Sequence, residues 1–508
     1  MSRDAQRAHP CDSPAMHHPA PRMAQVRMRA AVRLLGAGTP VAGRVLGTLG
    51  LALFATLAVL LPLQPELNPD TESYLELMPT RPPAYGLLLN AWSALAGGLV
   101  GLPQLQAAAL VAATTVLALA AARRLRSLAL GLGIVVAVLL PSDLRYWAGV
   151  AMSEAFFAAA VMAMLAAALR IDPARPAGGL LRVGIWAGCA IALRNAGLPF
   201  AIAAVLLGLA TARTGRRPAL PLLAAALLPA VIALAASAMV HLAVNGRLTV
   251  GAWSGVSLAG KGLMLTRPGD EAWLPPLLRA APRLAAEARM LPPGMPLRLR
   301  MRVRSTQYDA IRFHHLWPEL ARAGVTDPVA IDALVGPVAW RAVWRDPAGY
   351  AVLAGGDWAA LWLLPAKITP RERAAELAFV RAHAPLPLLT VRPASVAEML
   401  APAADRPVAV WLLRIGALAA FVAGIAAVAV AALRTWRRRS LGLAAPAAFA
   451  SLALNGSFAA IAAVEGGLGR YAAPLWPAQV LLCAIALAWL AARAAVPPPS
   501  SDQRVLRG

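Results

Sequence analysis

The feature that most constrains this chain is a set of long apolar runs with no charge inside them. "TLGLALFATLAVLLP" (48–62), "AAALVAATTVLALAAA" (107–122) and "LPLLAAALLPAVIALAASAMV" (220–240) reach or approach one bilayer crossing. A helix needs about 20 apolar residues to cross the hydrocarbon. Within lipid a helix also satisfies every backbone N–H and C=O from its own segment. Over 508 residues, 59% are hydrophobic and 14% charged. That is far more apolar surface than a soluble domain of this size buries in its own core. The runs predict an all-α polytopic membrane protein with about ten spans, near 45–63, 104–122, 126–142, 149–169, 183–194, 196–212, 219–243, 408–433, 441–464 and 472–492. The fifth of these, "VGIWAGCAIALR", is short and reads as half of a tight or partly re-entrant pair. Residues 85–101 read as a helix lying in the interface.

The net charge of +24 does not make this a nucleic-acid-binding chain. Lysine occurs only at Lys261 and Lys367, and much of the arginine falls in short inter-helix loops. "ARRLRS" (122–127), Arg170 to Arg182, "RTGRR" (213–217) and "RTWRRR" (434–439) fall on one face together with the basic N-terminal tail. By the positive-inside rule that face is cytosolic, and an even number of spans puts both termini there. The reading divides the chain into five parts: a disordered cytosolic tail (1–44), in which Met23 or Met28 is a possible start; a transmembrane module (45–243) carrying a loop at 64–103; an extracytoplasmic helical segment (244–406) between the seventh and eighth spans; C-terminal spans (407–492); and a cytosolic tail (493–508). The run 45–63 resembles a signal-peptide core, but "LLPLQPELNPD" holds no small-x-small cleavage site, so it reads as an uncleaved helix. Cys11, Cys189 and Cys483 are too scattered for a disulfide framework, and no histidine pair has metal-ligand spacing.

Carboxylates near hydrocarbon are costly, and where they occur they tend to be paired or functional. Four sets stand out, all on the expected extracytoplasmic side: Asp70 and Glu72 with Tyr74; Ser153 and Glu154 in "SEAFF"; Arg194 and Asn195 in "LRNAGLP"; and Glu465, Arg470 and Tyr471 in "EGGLGRY". Each has a purely structural alternative. Asp70 would cap a short helix, Glu154 would complement a helix dipole, Arg194 would snorkel, and Tyr471 would belong to an aromatic belt. Arg81-Pro82-Pro83 would only end one segment and begin the next. Caps and anchors of that kind would scatter over both faces, and these four sets do not. A carboxylate that accepts a proton from an attacking hydroxyl, beside arginines that hold a phosphate, suits group transfer at a membrane boundary.

The order of these elements resembles the GT-C class of membrane glycosyltransferases, which includes protein O-mannosyltransferases and bacterial lipid A aminoarabinose transferases. "DTESYLELM" followed by "RPPAYGLLL" is similar to the first extracytoplasmic loop of that class. "LLPSDLRYWAGVAMSEAFFAAAVMAMLAAA" (139–168), "GIWAGCAIALRNAGLPFAI" (184–202) and "EGGLGRYAAPLWPAQVLL" (465–482) resemble three further elements in the same order. The resemblance implies a polyprenyl-phosphate-linked sugar as donor, an envelope lipid, glycan or protein as acceptor, and a site on the periplasmic face of a bacterial inner membrane. It implies Asp70 as base, with Glu72 as the competing loop carboxylate. Tyr74, Arg81, Tyr85, Glu154, Arg194, Arg470 and Tyr471 would line the donor or acceptor. Asp70 and Glu72 are separated by Thr71, where members of the class often carry adjacent acids. A divalent metal therefore stays open, and no residue is assigned to one. Lys261, in "GKGLML", reads as solvated or as a lone cation near the donor phosphate. Two other readings stand beside the enzyme: a transporter or flippase of lipid-linked sugars, whose charges would sit at mid-span, and a catalytically inactive scaffold.

Overall fold

The structure, a computed structural model, describes residues 40–139, 141–251, 254–363, 367–383, 406–467 and 469–494. Among these there is no β-strand, only a single backbone bridge between Glu66 and Val150. The expected tails therefore lie almost wholly outside the described residues, as does Cys11. The first helix, α1 (Pro40–Leu60), begins inside the segment read as tail. Next come α2 (Thr71–Leu75) and α3 (Ala84–Ala96) in the loop, then α4 (Leu102–Leu125), α5 (Leu128–Leu139), α6 (Ser142–Gly149), α7 (Glu154–Leu169), α8 (Pro176–Leu193), α9 (Leu198–Gly215) and α10 (Ala219–Asn245). The chain continues through α11 (Ser254–Met264), α12 (Ala281–Arg289), α13 (Leu297–Asp309), α14 (Pro328–Arg345), α15 (Pro347–Leu363) and α16 (Pro370–Ala382). It returns to the bundle with α17 (Pro407–Trp436), α18 (Ala444–Val464) and α19 (Trp476–Ala494).

Eight helices among the described residues are long and apolar enough to cross a membrane, nine if α5 and α6 count as one span bent by 57°. This makes the chain a multi-pass membrane protein. Two of the ten expected spans come out shorter than a crossing. The helix α5 has 12 residues, Leu128–Leu139. The helix α7 has only 16 residues, because the chain over 150–153 is used to hold the loop before it. It lies at the centre of the bundle, buried along almost its whole length.

Of the two forms expected for the fifth and sixth segments, the partly re-entrant one is corrected; α8 and α9 are joined by the short turn at Asn195–Gly197. The helix α8 starts at Pro176, well before the run that the sequence reading took, and is a full 18-residue candidate span. Proline suits the first turn of a helix, and Arg182 is carried two turns inside the helix rather than ending it. Its packing explains its small residues. A Cβ on Gly184 would lie 2.7 Å from the carbonyl oxygens of Ala225 and Ala226, and one on Gly188 2.7 Å from that of Pro229. In lipid, where apolar side chains gain little by leaving their surroundings, such backbone approach is what holds helices together.

The segment after α10 forms a helical cap with a core of its own, in which Val256, Leu258, Tyr308, Ile311, Ile331 and Val335 are buried together. Its helix α15 runs back against the bundle. There Trp358 and Trp362 meet Phe421 edge-on at 5.8 and 5.1 Å between ring centroids, and Trp362 donates to Asn455 at 3.2 Å. The part of the expected extracytoplasmic segment at 384–405 lies outside the described residues.

The arginine-rich loops share one end of the bundle. Arg217 donates to the carbonyls of Pro173 and Ala174 at 3.0 and 2.9 Å, while Arg213 and Trp436 line one groove.

Candidate functional site

The loop between α1 and α4 is stitched to the chain ahead of α7. Glu66 N–H donates to Gly149 O, and Ala151 N–H donates to Glu66 O, both at 2.9 Å. Thr71 Oγ1 donates to Ala151 O at 3.1 Å, and the Tyr74 hydroxyl meets Ser153 Oγ at 3.0 Å. Gln106 of α4, fully buried, closes the junction. It donates to Ala148 O and Val150 O at 2.9 and 2.8 Å and accepts from Tyr85 at 3.2 Å. The Pro-Pro pair then turns the chain into α3, which packs so closely on α2 that a Cβ on Gly86 would lie 2.2 Å from Tyr74 O. From the other side, His241 and Asn245 in the last turns of α10 hold Arg81 O and Leu77 O at 2.9 and 3.0 Å.

On this frame the four polar sets come together. Arg81 Nη2 lies 2.7 Å from Asp70 Oδ1, and Arg470 Nη1 lies 3.7 Å from Asp70 Oδ2. Asp70 stands at the N-cap position of α2, yet its side chain makes no capping bond; its oxygens face arginines instead. Arg194 Nη1 lies 2.5 Å from Glu154 Oε1 and 3.4 Å from Ser153 Oγ. Glu154 has no exposure, so Arg194 is the countercharge that makes its burial tolerable. Tyr471 sits between Arg194 and Arg470, whose guanidinium carbons lie 5.9 and 4.8 Å from its ring centroid, and its hydroxyl accepts from Arg470 at 2.8 Å.

These residues surround a cavity of about 240 Å³ lined by Tyr74, Arg81, Arg194, Ser257, Glu465 and Tyr471, among others. Asp70 and Glu154 stand one layer back, each behind the arginine it holds. The carboxylate that faces the cavity is Glu465. Ser257 donates to its Oε1 at 2.6 Å, and Arg312 Nη2 lies 3.0 Å from its Oε2. Burial alone would push Glu465 up, but Arg312 and the Ser257 hydrogen bond outweigh burial and hold it at about 2. It is an anion at any physiological pH.

Two residues of the sequence reading lie apart from this group. Glu72 is exposed in the first turn of α2 and joins none of the ion pairs among the described residues. Tyr85 is fully buried, edge-on to Tyr74 at 5.0 Å, and does not line the cavity. Lys261 is neither solvated nor a lone cation. It has no exposure, lies 2.6 Å from Asp357 Oδ2, and also donates to the backbone of Glu465. Burial drives this pair toward neutrality from both sides, lowering Lys261 and raising Asp357.

Sequence reasoning missed Gln106, Ser257 and Arg312. Gln106 carried a usable signal, an amide inside an apolar span, where an unpaired polar group is costly. For a metal, no group of three or more His, Cys, Asp or Glu stands together among the described residues. The carboxylates at and behind the cavity, Glu465, Asp70 and Glu154, are each engaged by arginine, so the donor set does not fit a metal and no step is routed through one. No known family model, characterised protein or solved structure matches the chain.

Proposed function

We propose that this protein is an integral-membrane glycosyltransferase of the GT-C type, seated in a bacterial inner membrane with both termini in the cytosol. It would transfer a sugar from a polyprenyl-phosphate donor to an envelope lipid, glycan or protein. One observation carries the reading. Residues 70, 81, 154, 194 and 470, from four separate parts of the chain, gather at and just behind one cavity at the end of the bundle away from the arginine-rich loops. Charges gathered at one helix end, rather than at mid-span, favour chemistry at the boundary over transport through the middle.

In the proposed reaction the acceptor oxygen attacks the anomeric carbon of the sugar, and its proton passes to the Asp70 carboxylate. The bond from that carbon to the phosphate oxygen breaks, and its electron pair leaves with the lipid phosphate. Arg81, Arg194 and Arg470 take up the charge that develops there. The pairing of Asp70 with Arg81 gives the donor a second task. An arriving phosphate competes for Arg81 and so releases the carboxylate that must act as base. Leu193, adjacent to Arg194, lines both the cavity and an apolar groove, which offers the lipid tail a way out between helices.

The test is a deletion strain carrying wild type, Asp70→Asn or Glu465→Gln at matched expression, with envelope lipids and glycans compared by mass spectrometry. Wild type restores a sugar-sized mass, and Asp70→Asn lowers transfer roughly 100-fold or more, the size of a lost general base. Full restoration by Asp70→Asn alongside failure of Glu465→Gln moves the base to Glu465. Restoration by both overturns the reading.

A further inference from the structure

The groove that begins at Leu193 does not end where a tail leaving the cavity needs it to. It has a volume of about 660 Å³ and runs the height of α7, between that helix, α4 and α8. About half of its lining is alanine, including Ala109, Ala113, Ala160 and Ala163, with Trp186 and Cys189 along one side. Its far end is basic: Arg170 and Arg182 line it there. Burial, together with Arg123 and Arg182 nearby, lowers the proton affinity of Arg170.

None of these three arginines is paired with a carboxylate among the described residues. Arg170 donates to Val116 O at 3.3 Å and Arg182 to Gly178 O at 3.2 Å. The nearby carboxylate in sequence, Asp172, accepts from Ala174 N–H instead.

We infer that this end of the groove binds an anionic phospholipid from the leaflet opposite the catalytic cavity. Its headgroup phosphate lies on Arg170 and Arg182, and one acyl chain lies along the alanine wall. Guanidinium groups grip phosphate through paired N–H donors, and basic clusters at a membrane surface select anionic lipids. Orientation of the chain in the membrane requires arginines at an end of the bundle. It does not require them to rim one groove without a carboxylate among them. The occupant is a lipid rather than a protein segment because the groove offers no polar partner along its length for a peptide backbone.

Cys189 in the groove wall is exposed and reports occupancy, while Cys483, on α19, serves as an internal reference. The full chain is placed in nanodiscs of phosphatidylcholine with or without phosphatidylglycerol, and alkylation of both cysteines by N-ethylmaleimide is followed by mass spectrometry. Phosphatidylglycerol slows reaction at Cys189 and leaves Cys483 unchanged; soluble glycerol phosphate does neither. In the double variant Arg170→Gln, Arg182→Gln, the phosphatidylglycerol needed for protection rises roughly 30-fold. The double lysine variant keeps most of the protection, which separates loss of charge from loss of fold. Protection by phosphatidylcholine alone, no protection at all, equal protection by glycerol phosphate, or undiminished protection in the glutamine variant would each overturn the proposal.

Discussion

Two clusters of arginine or lysine with carboxylates meet at the end of the bundle, and Glu465 belongs to both. In one, Asp70, Arg81 and Arg470 keep side-chain exposures of 26, 23 and 32%. In the other, Lys261 and Asp357 have 0 and 5%, and Arg312 has 4%. The chemistry of the groups is the same and their situation is opposite. The sealed cluster spends its charges on one another and on the backbone of 465–467, since Gly467 N–H also donates to Asp357 at 2.9 Å. Its product is a cap fixed to the bundle. The open cluster holds both arginines by Asp70 and leaves Arg81 facing the cavity. Between these two clusters, burial separates charges that are sealed against one another from charges that stay partly open to the cavity.

The comparison is open to direct attack. Asp357→Asn strands Lys261 in a sealed interior, and we expect it to cost about 3–5 kcal/mol, the range for breaking a buried pair. Thermal unfolding in detergent measures this. Replacing both partners, Lys261→Met with Asp357→Leu, recovers most of the loss, and a double variant as weak as the single one would mean that Asp357 acts other than through Lys261.

Acid sharpens the role of Glu465. Its folded pKa, about 2, lies below the 4.5 of an unperturbed glutamate. The stability it contributes is therefore fully present above pH 4.5 and is lost as pH falls from there toward 2. Glu465→Gln should flatten that acid limb of the unfolding midpoint, measured from pH 6 downward; an unchanged limb would place the acid sensitivity elsewhere.

The open cluster should respond weakly. Asp70→Asn is expected to change stability by less than about 1 kcal/mol, as exposed pairs do, while transfer activity collapses. A large loss of stability would make Asp70 a builder, like Asp357. Glu72→Gln, on an exposed helix face, should stay within about 0.5 kcal/mol and leave activity unchanged; lost activity at wild-type stability would return the catalytic role to Glu72.

Much of the site was legible because the bilayer makes polar residues conspicuous. Asp70, Glu154, Arg194 and Arg470 stood out against apolar surroundings, and counting spans led us to expect them at one end of the bundle. The partners were not legible. Nothing near Glu154 in sequence points to Arg194, and Glu465 meets Ser257 and Arg312 across more than 150 residues of chain. Lys261 was misread because a lysine inside a polar segment looks solvated until its neighbours are known. The span boundaries failed for a similar reason. Arg182 looked like a helix end, but its long side chain lets the helix carry it at a membrane surface. The short α7 was missed because its length is set by the stitching of residues 150–153 to the loop, a long-range contact.

The last turns of α10 carry one more consequence. His241 and Asn245 grip the backbone of Arg81 and Leu77, and the chain departs for the cap at Gly246. The helix is anchored below by its glycine contact with α8. A load placed on the cap is therefore delivered to the footing of Arg81. The last turns of α10 thus tie the position of the cap to that of a guanidinium lining the cavity.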